Sequence, residues 1–281
     1  MDLRNTPIWG KYLSTIGWKS EGSFRVRPIL FFSIIKWQRP ENIEAADLQR
    51  LKKTALKHRA LFAKVEVNNN EQAQFLLKSG FKPDSWPLTP AKTLILNLNP
   101  SLEDFHSNLI KDTRYSLRRA EKENLAVSVK DLKNASQKEL NAFYSLWKDT
   151  AKRGKFYVPP EREFLKKMKI YEDRGFLVLI SNSSDVFLAG AICLIEGSTC
   201  FYHHAGSSKE GQKLFAPYLC LWEVIKEAKK RGCKRLDLEG VYDSRFPKMT
   251  KGWEGFSRFK RGFGGEEKVY PGSYTKYLPF L

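Results

Sequence analysis

Residues Gly255–Gly265 read GFSRFKRGFGG: three phenylalanines interleaved with Arg258, Lys260 and Arg261, then a glycine pair. A surface loop has no use for the phenylalanines, and a buried strand has no use for the cations. Read as an extended segment, the stretch gives Lys260 dry walls in Phe256, Phe259 and Phe263. Arg258 and Arg261 then lie on the opposite side, and Gly264–Gly265 supply a backbone turn where a ligand can approach closely. A fixed ammonium among rings suits a reaction that builds negative charge. The alternative reading of Lys260 is an ordinary strand lysine.

The chain around this stretch has 281 residues, a formal net charge of +18, 42% hydrophobic and 13% aromatic content. That apolar content supplies cores for one large or two ordinary domains. So large a positive excess favours a polyanionic partner: nucleic acid, an anionic membrane surface or a phosphate-bearing substrate. The cations are spread along the sequence, so the partner is expected to meet a folded surface. The amino terminus, MDLRNTPIWGKYL, lacks a charged-then-apolar signal pattern. No apolar run approaches the ~20 residues that span a bilayer. A soluble, cytoplasmic protein without an integral membrane segment is expected, with room for peripheral membrane contact. Cys193, Cys200, Cys220 and Cys233 form no Cys-x-x-Cys pair and read as small core residues; His58, His106, His203 and His204 show no zinc spacing. No metal site is expected.

Helical and strand periodicities alternate, which predicts a mixed α/β class. RVRPILFFSII (25–35) reads as a buried strand, 45–59 as a helix, LFAKVEV as a strand, and 71–79 as a helix closed by Gly80. TLILNL (93–98) alternates like a strand. Ser101 and Asp104 then resemble a capping box opening a helix to about Asn124. Further on come LAVSVKDL, helices over 136–153 and 161–173, and the strands FLVLIS, FLAGAICLIEG and TCFYHHAGS. A helix over 215–231 and the strand CKRLDLEG follow. The order repeats in rough outline before and after about residue 125. Two rigidly packed units are expected, 1–125 together with 268–281, and 126–267.

Four constellations stand out. On helix 102–124, Lys111, Arg114, Arg118 and Lys122 share a face, either as a phosphate-tracking stripe or as a solvated surface. Arg153 and Tyr157 lie one turn apart at a helix end. They read as a fork for a diphosphate or carboxylate with a stacking hydroxyl beside it, or as a cation favoured by the helix dipole. In CFYHHAGS, strict alternation sets Tyr202, His204 and Gly206 on the face opposite Phe201, His203 and Ala205, so that one face lines a cleft or is merely wet. In DLEGVYDSRFP, Glu239, Asp243 and Arg245 fill a loop after a strand, as a site or as a self-neutralised ion-pair loop.

Taken together, CKRLDLEG, the acidic loop, WEGFSRFKRGFGG and VYPGSYTKYL resemble the carboxy-terminal signature of the Fem family of peptidoglycan-bridge aminoacyltransferases. TLILNL with DTRYSLRRAEKENLAV, IIKWQRP and TPIWGKYL are similar to further family segments, so the resemblance runs from about residue 6 onward. It implies two tandem GNAT-like acyltransferase domains and no cofactor. It also implies transfer of an amino acid from aminoacyl-tRNA to the stem-peptide amine of a UDP- or lipid-linked muramyl precursor. On this resemblance Phe259 and Lys260 are the catalytic pair, and Arg153 and Tyr157 are the diphosphate contacts. Tyr202 and His204 are the strand aromatics, and Lys11 is an amino-terminal contact. Asn97 stands where the family usually has an aspartate, so no general base is visible. Arg258, Arg261, Arg114 and Arg118 are expected to hold tRNA phosphates.

Two rivals remain. An acyl-CoA-dependent acyltransferase wants a glycine-rich loop opening a helix; KEGQKLFAPYLCLW keeps Gly211 but has Leu214, Phe215 and Pro217 where glycines would sit. A non-catalytic RNA-binding module is the second, since the chain is basic, aromatic-rich and lacks a conventional catalytic pair.

Overall fold

Thr6 opens the first helix, α1 (Pro7–Ser14), by accepting a hydrogen bond from the Trp9 amide, with Pro7 in the first turn. This computed structural model describes residues 2–277. Leu278 of the quoted VYPGSYTKYL, and the end of the expected first-domain range to 281, lie outside the described residues. After α1 come β1 (Lys19–Glu21), β2 (Phe24–Ile29), β3 (Phe32–Gln38), α2 (Ala45–Lys57), β4 (Ala60–Val67), α3 (Asn70–Lys78) and β5 (Lys82–Asp84). The stretch 25–35, expected as one strand, is a hairpin instead. Leu30 takes φ +51 and Ile29 pairs with Phe32, so the chain reverses in two residues.

The next run is β6 (Lys92–Asn97), α4 (Leu102–Ser107), α5 (Lys111–Lys122), β7 (Ala126–Asp131), α6 (Gln137–Gly154) and α7 (Glu161–Ile170). It continues through β8 (Gly175–Ser181), β9 (Phe187–Glu196), β10 (Thr199–Ser207), α8 (Lys209–Lys213), α9 (Ala216–Lys230), β11 (Arg235–Gly240), α10 (Pro247–Thr250), α11 (Glu254–Arg261) and β12 (Glu266–Val269). A last strand, β13 (Gly272–Tyr277), follows. Ser101 does cap α4, but the single helix expected to Asn124 breaks at 108–110. There the Ile110 amide donates to the Gly262 carbonyl just beyond α11.

The chain divides into two units, 1–91 with 269–281, and 92–268. The boundary falls before β6, not near residue 125, because β6 pairs with β11 and α5 packs on α9. The first unit holds a six-stranded sheet ordered β1-β2-β3-β4-β13-β5, antiparallel except for β3 and β4. Its core is Val26, Ile35, Trp37, Val65 and Val67 against Leu51 and Ala55 of α2 and Leu76 of α3. The second unit holds seven strands, β12-β6-β11-β10-β9-β8-β7, in which β10 and β11 pair in parallel. Its core joins β8 and β9 to Leu219, Trp222, Val224, Ile225 and Ala228 of α9 and to Leu117 and Ala120 of α5. Cys193, Cys200, Cys220 and Cys233 are free, buried thiols.

Candidate functional site

The parallel ladder of β10 and β11 stops at Phe201–Asp237, although both strands continue. Each then leaves its antiparallel register at the same level. On β10 His203 is skipped between Tyr202–Cys193 and His204–Ile192; on β11 the register with β6 slips between Asp237 and Gly240. Bulges re-aim side chains. Strict alternation would put His203 and His204 on opposite faces, but the bulge brings their rings to 4.0 Å. Tyr202, expected in the cleft, instead lies in the core beside Cys193 and Cys220, where burial pushes its phenol well up. On β11 Glu239 is forced to φ +61, with its amide donating to the Asp237 carboxylate at 2.7 Å. Thr93 of β6 donates to the same carboxylate. The site is therefore the parting of two parallel strands beyond their carboxyl-side pairing, a common place for ligands in mixed sheets.

Across this opening lies α11. The stretch expected to be extended is helical, because Phe256 and Lys260 at i,i+4, with Ser257, form one inward face. Phe259 and Phe263 pack with the Tyr218 ring, centroids 5.0 and 6.2 Å away. Ser257 accepts from the Tyr242 amide at 2.8 Å, and Lys260 Nζ donates to the Gly240 carbonyl at 2.7 Å. The Phe256 ring lies 4.9 Å from that ammonium. Lys260 is only 9% exposed. Burial pushes its ammonium down to about 8, against the field of Glu239 and Asp237. The helix is anchored at its far end too, since a Cβ on Gly262 would strike Thr113 of α5.

A second buried lysine lies against β10. Lys167 of α7, buried, lies 3.3 Å from His203 Nε2 and 3.4 Å from His204 Nε2. His203 Nδ1 is 3.5 Å from Glu239 Oε1, and Trp147 of α6 stacks on His204 at 3.9 Å. Lys167, missed in the sequence, carried a signal: it shares the apolar face of α7 with Phe164 and Met168. Nearby, the loop after β11 is cross-linked. Asp243 accepts the Arg245 backbone and guanidinium, which outweigh burial and hold its carboxyl low. Asp243 and Arg245 form the ion-pair loop, while Glu239 joins the cluster.

The remaining expected residues are scattered. Arg153 donates to Thr150 Oγ1 and the Ser207 carbonyl, clamping the end of β10 to α6. Tyr157, 79% exposed, follows a left-handed Lys155. Asn97 pairs with Arg235 while Thr93 pairs with Gly240, so Asn97 sits at the wrong end of β6. Four residues of strand place it roughly 13 Å along β6 from the site level. Lys11 is exposed on α1 of the other unit. Arg258 and Arg118 are exposed, Arg114 donates to the Leu109 carbonyl, and Arg261 pairs with Glu267 at 2.7 Å. Gly211 packs against β9, where a Cβ would meet the Leu188 carbonyl; this explains the glycine without a pyrophosphate.

No curated protein matches the sequence. Among solved structures, FemX matches with a TM-score of 0.81 at 16% identity, covering 99% of this chain and 92% of that one. L-PGS from Bacillus licheniformis matches with a TM-score of 0.59 at 11% identity, over 94% and 83% of the two chains. A tandem GNAT protein from the clavulanic acid biosynthesis pathway gives 0.55 at 8% identity, over 92% and 79%. At these identities the likeness is one of fold, which the chain shares with a tandem GNAT protein. Residues 180–279, which include β10, β11 and Lys260, match the model of the FemAB family, so this part of the chain carries the FemAB pattern on the fold of FemX.

Proposed function

We propose that the protein is a Fem-type aminoacyltransferase. It moves an amino acid from the ribose ester of aminoacyl-tRNA to the stem-peptide amine of a UDP- or lipid-linked muramyl precursor. The observation that carries this reading is the Lys260 ammonium, buried beside the parting of β10 and β11 and fixed by the Gly240 carbonyl. The FemAB pattern over residues 180–279 supports it.

In this reaction the amine nitrogen bonds to the ester carbonyl carbon, and charge builds on the carbonyl oxygen. The carbon–oxygen bond to the ribose then breaks, and the proton shed by the attacking nitrogen leaves with the ribose hydroxyl. An ammonium held in a dry site stabilises the developing oxyanion far better than one in water. Of its three donors one goes to Gly240, leaving two for the reacting oxygen. Phe259 seals the helix against Tyr218 and keeps water from that side. Arg153 and Tyr157 are proposed for the acceptor's diphosphate, His204 as an aromatic contact to the acceptor, and Arg258, Arg114 and Arg118 for tRNA phosphates.

The test is incubation with a mixture of charged tRNAs and both muramyl carriers, read by mass spectrometry. One aminoacyl mass added to a carrier by the native chain, and lost in Lys260→Met, is the expected result. No addition to either carrier from any charged tRNA overturns the reading.

A further inference from the structure

The β2–β3 hairpin of the first unit ends in four consecutive apolar side chains, Ile29, Leu30, Phe31 and Phe32, of which Leu30 is 93% and Phe31 81% exposed. Its turn breaks the rule that governs such turns. A two-residue hairpin whose first central residue has positive φ calls for glycine, asparagine or aspartate. Here leucine takes φ +51 and, at that exposure, gains almost no packing in return. Backbone strain borne by an exposed apolar residue marks a surface that is covered in use.

The charge around the tip points to what covers it. Arg27 lies two residues before Ile29 on the same face of β2, and the Arg59 guanidinium sits 5.4 Å from the Phe32 ring. Of the six lysines and arginines from Arg50 to Lys64, Arg50, Lys57 and Lys64 pair with Asp47, Glu21 and Asp84, while Lys52, Lys53 and Arg59 are exposed. An apolar tip with a cationic collar matches the boundary between the acyl chains and anionic headgroups of a bilayer, where apolar side chains enter and cations stay with the phosphates. RNA fits less well, because it rewards aromatic stacking and phosphate contacts but offers nothing to Ile29 and Leu30.

We propose that this chain docks peripherally on anionic membranes through the Ile29–Phe32 tip, with Arg27 and Arg59 as its headgroup contacts. The proposal goes beyond the transferase reading. Only its corollary rests on that reading: a membrane-docked chain meets a lipid-linked acceptor rather than a UDP-linked one.

The test is co-sedimentation with phosphatidylglycerol/phosphatidylcholine vesicles and with pure phosphatidylcholine vesicles, and it reads no transfer at all. The native chain is expected to partition at least tenfold more strongly onto the anionic vesicles. The double variant Leu30→Asp/Phe31→Asp should lose at least tenfold of that binding with an unchanged thermal midpoint, since aspartate tolerates left-handed backbone. In a Phe31→Trp variant the indole emission should shift to the blue on anionic vesicles and be quenched by brominated lipid. Equal binding by native chain and double variant overturns the proposal, as does no binding by the native chain. It is equally overturned if the double variant loses tRNA affinity or self-association while vesicle binding stays intact.

Discussion

Lys260 is a cation the fold pays for, and the proposed transfer reaction gives it a use. Moving its ammonium from the ordinary lysine value of 10.5 down to about 8 corresponds to ~3 kcal/mol of unfavourable burial at neutral pH. Below pH 8 both folded and unfolded chains bind this proton, and the penalty is present in full. Between about 8 and 10.5 only the unfolded chain keeps it, so this residue's contribution makes stability rise with pH. Lys260→Met removes the penalty together with the bond to Gly240. Its thermal midpoint at pH 7 is expected to equal or exceed the native one, while turnover falls on the order of 10²–10³, as for loss of one oxyanion donor. A midpoint lowered by many degrees, with activity lost only in proportion, would make Lys260 structural. Because the ammonium must be charged to work, the rate should also decline as pH rises through about 8. A rate–pH profile still climbing at pH 9.5 contradicts that role. The sequence singled out this lysine between phenylalanines, and its ammonium is buried against the Phe256 ring. Its partner at Gly240 and the second buried lysine, Lys167, were not legible, because both depend on contacts between elements far apart in the chain.

At the level of elements, the site is made by two bulges and one helix. GFSRFKR reads as extended from the lysine set between phenylalanines, yet its rings fall at 256, 259 and 263, the i, i+3, i+7 spacing of one helix face, so the helical signal is present in the sequence. Tyr218 and the 240–242 loop decide for the helix. The bulge at His203 was invisible: a skipped residue leaves the sequence pattern intact while reversing which face later residues occupy. It takes His204 and Gly206 off the face of Tyr202, which stays in the core, and brings His203 beside His204. Close packing of α6 on β10 fixes this arrangement, since a Cβ on Gly206 would lie 2.5 Å from the backbone of Leu146 and Trp147. Gly206→Ala is expected to cost about 1–3 kcal/mol by overpacking and to displace His204 from Trp147. Chemical denaturation measures the first effect, and tryptophan emission at Trp147 reports the second. Ser257→Ala removes the acceptor of the Tyr242 amide and should cost about 1–2 kcal/mol in the same assay.

On the scale of the whole molecule, the net charge of +18 governs how the chain would meet the tRNA proposed as its donor. If several of these cations contact phosphates, the logarithm of affinity falls linearly with that of salt, and six contacts would lose about a thousandfold between 50 and 200 mM. Filter binding across that range checks it; a flat line rules out a phosphate-led encounter. Composition and alternation made the α/β class and the doubling readable. The division point was not readable, because β6 is claimed by β11, its distant pairing partner, rather than by its sequence neighbours. The same logic governs β13. It fills the gap between β4 and β5, and roughly two hundred residues separate Val67 from its partner Gly272. During synthesis at about 5–20 residues per second, β4 stands as an open edge for some 10–40 s before its neighbour exists. The nascent amino-terminal half is thus a natural client for chaperones, and a reporter fused after residue 91 should aggregate where one fused after residue 277 does not.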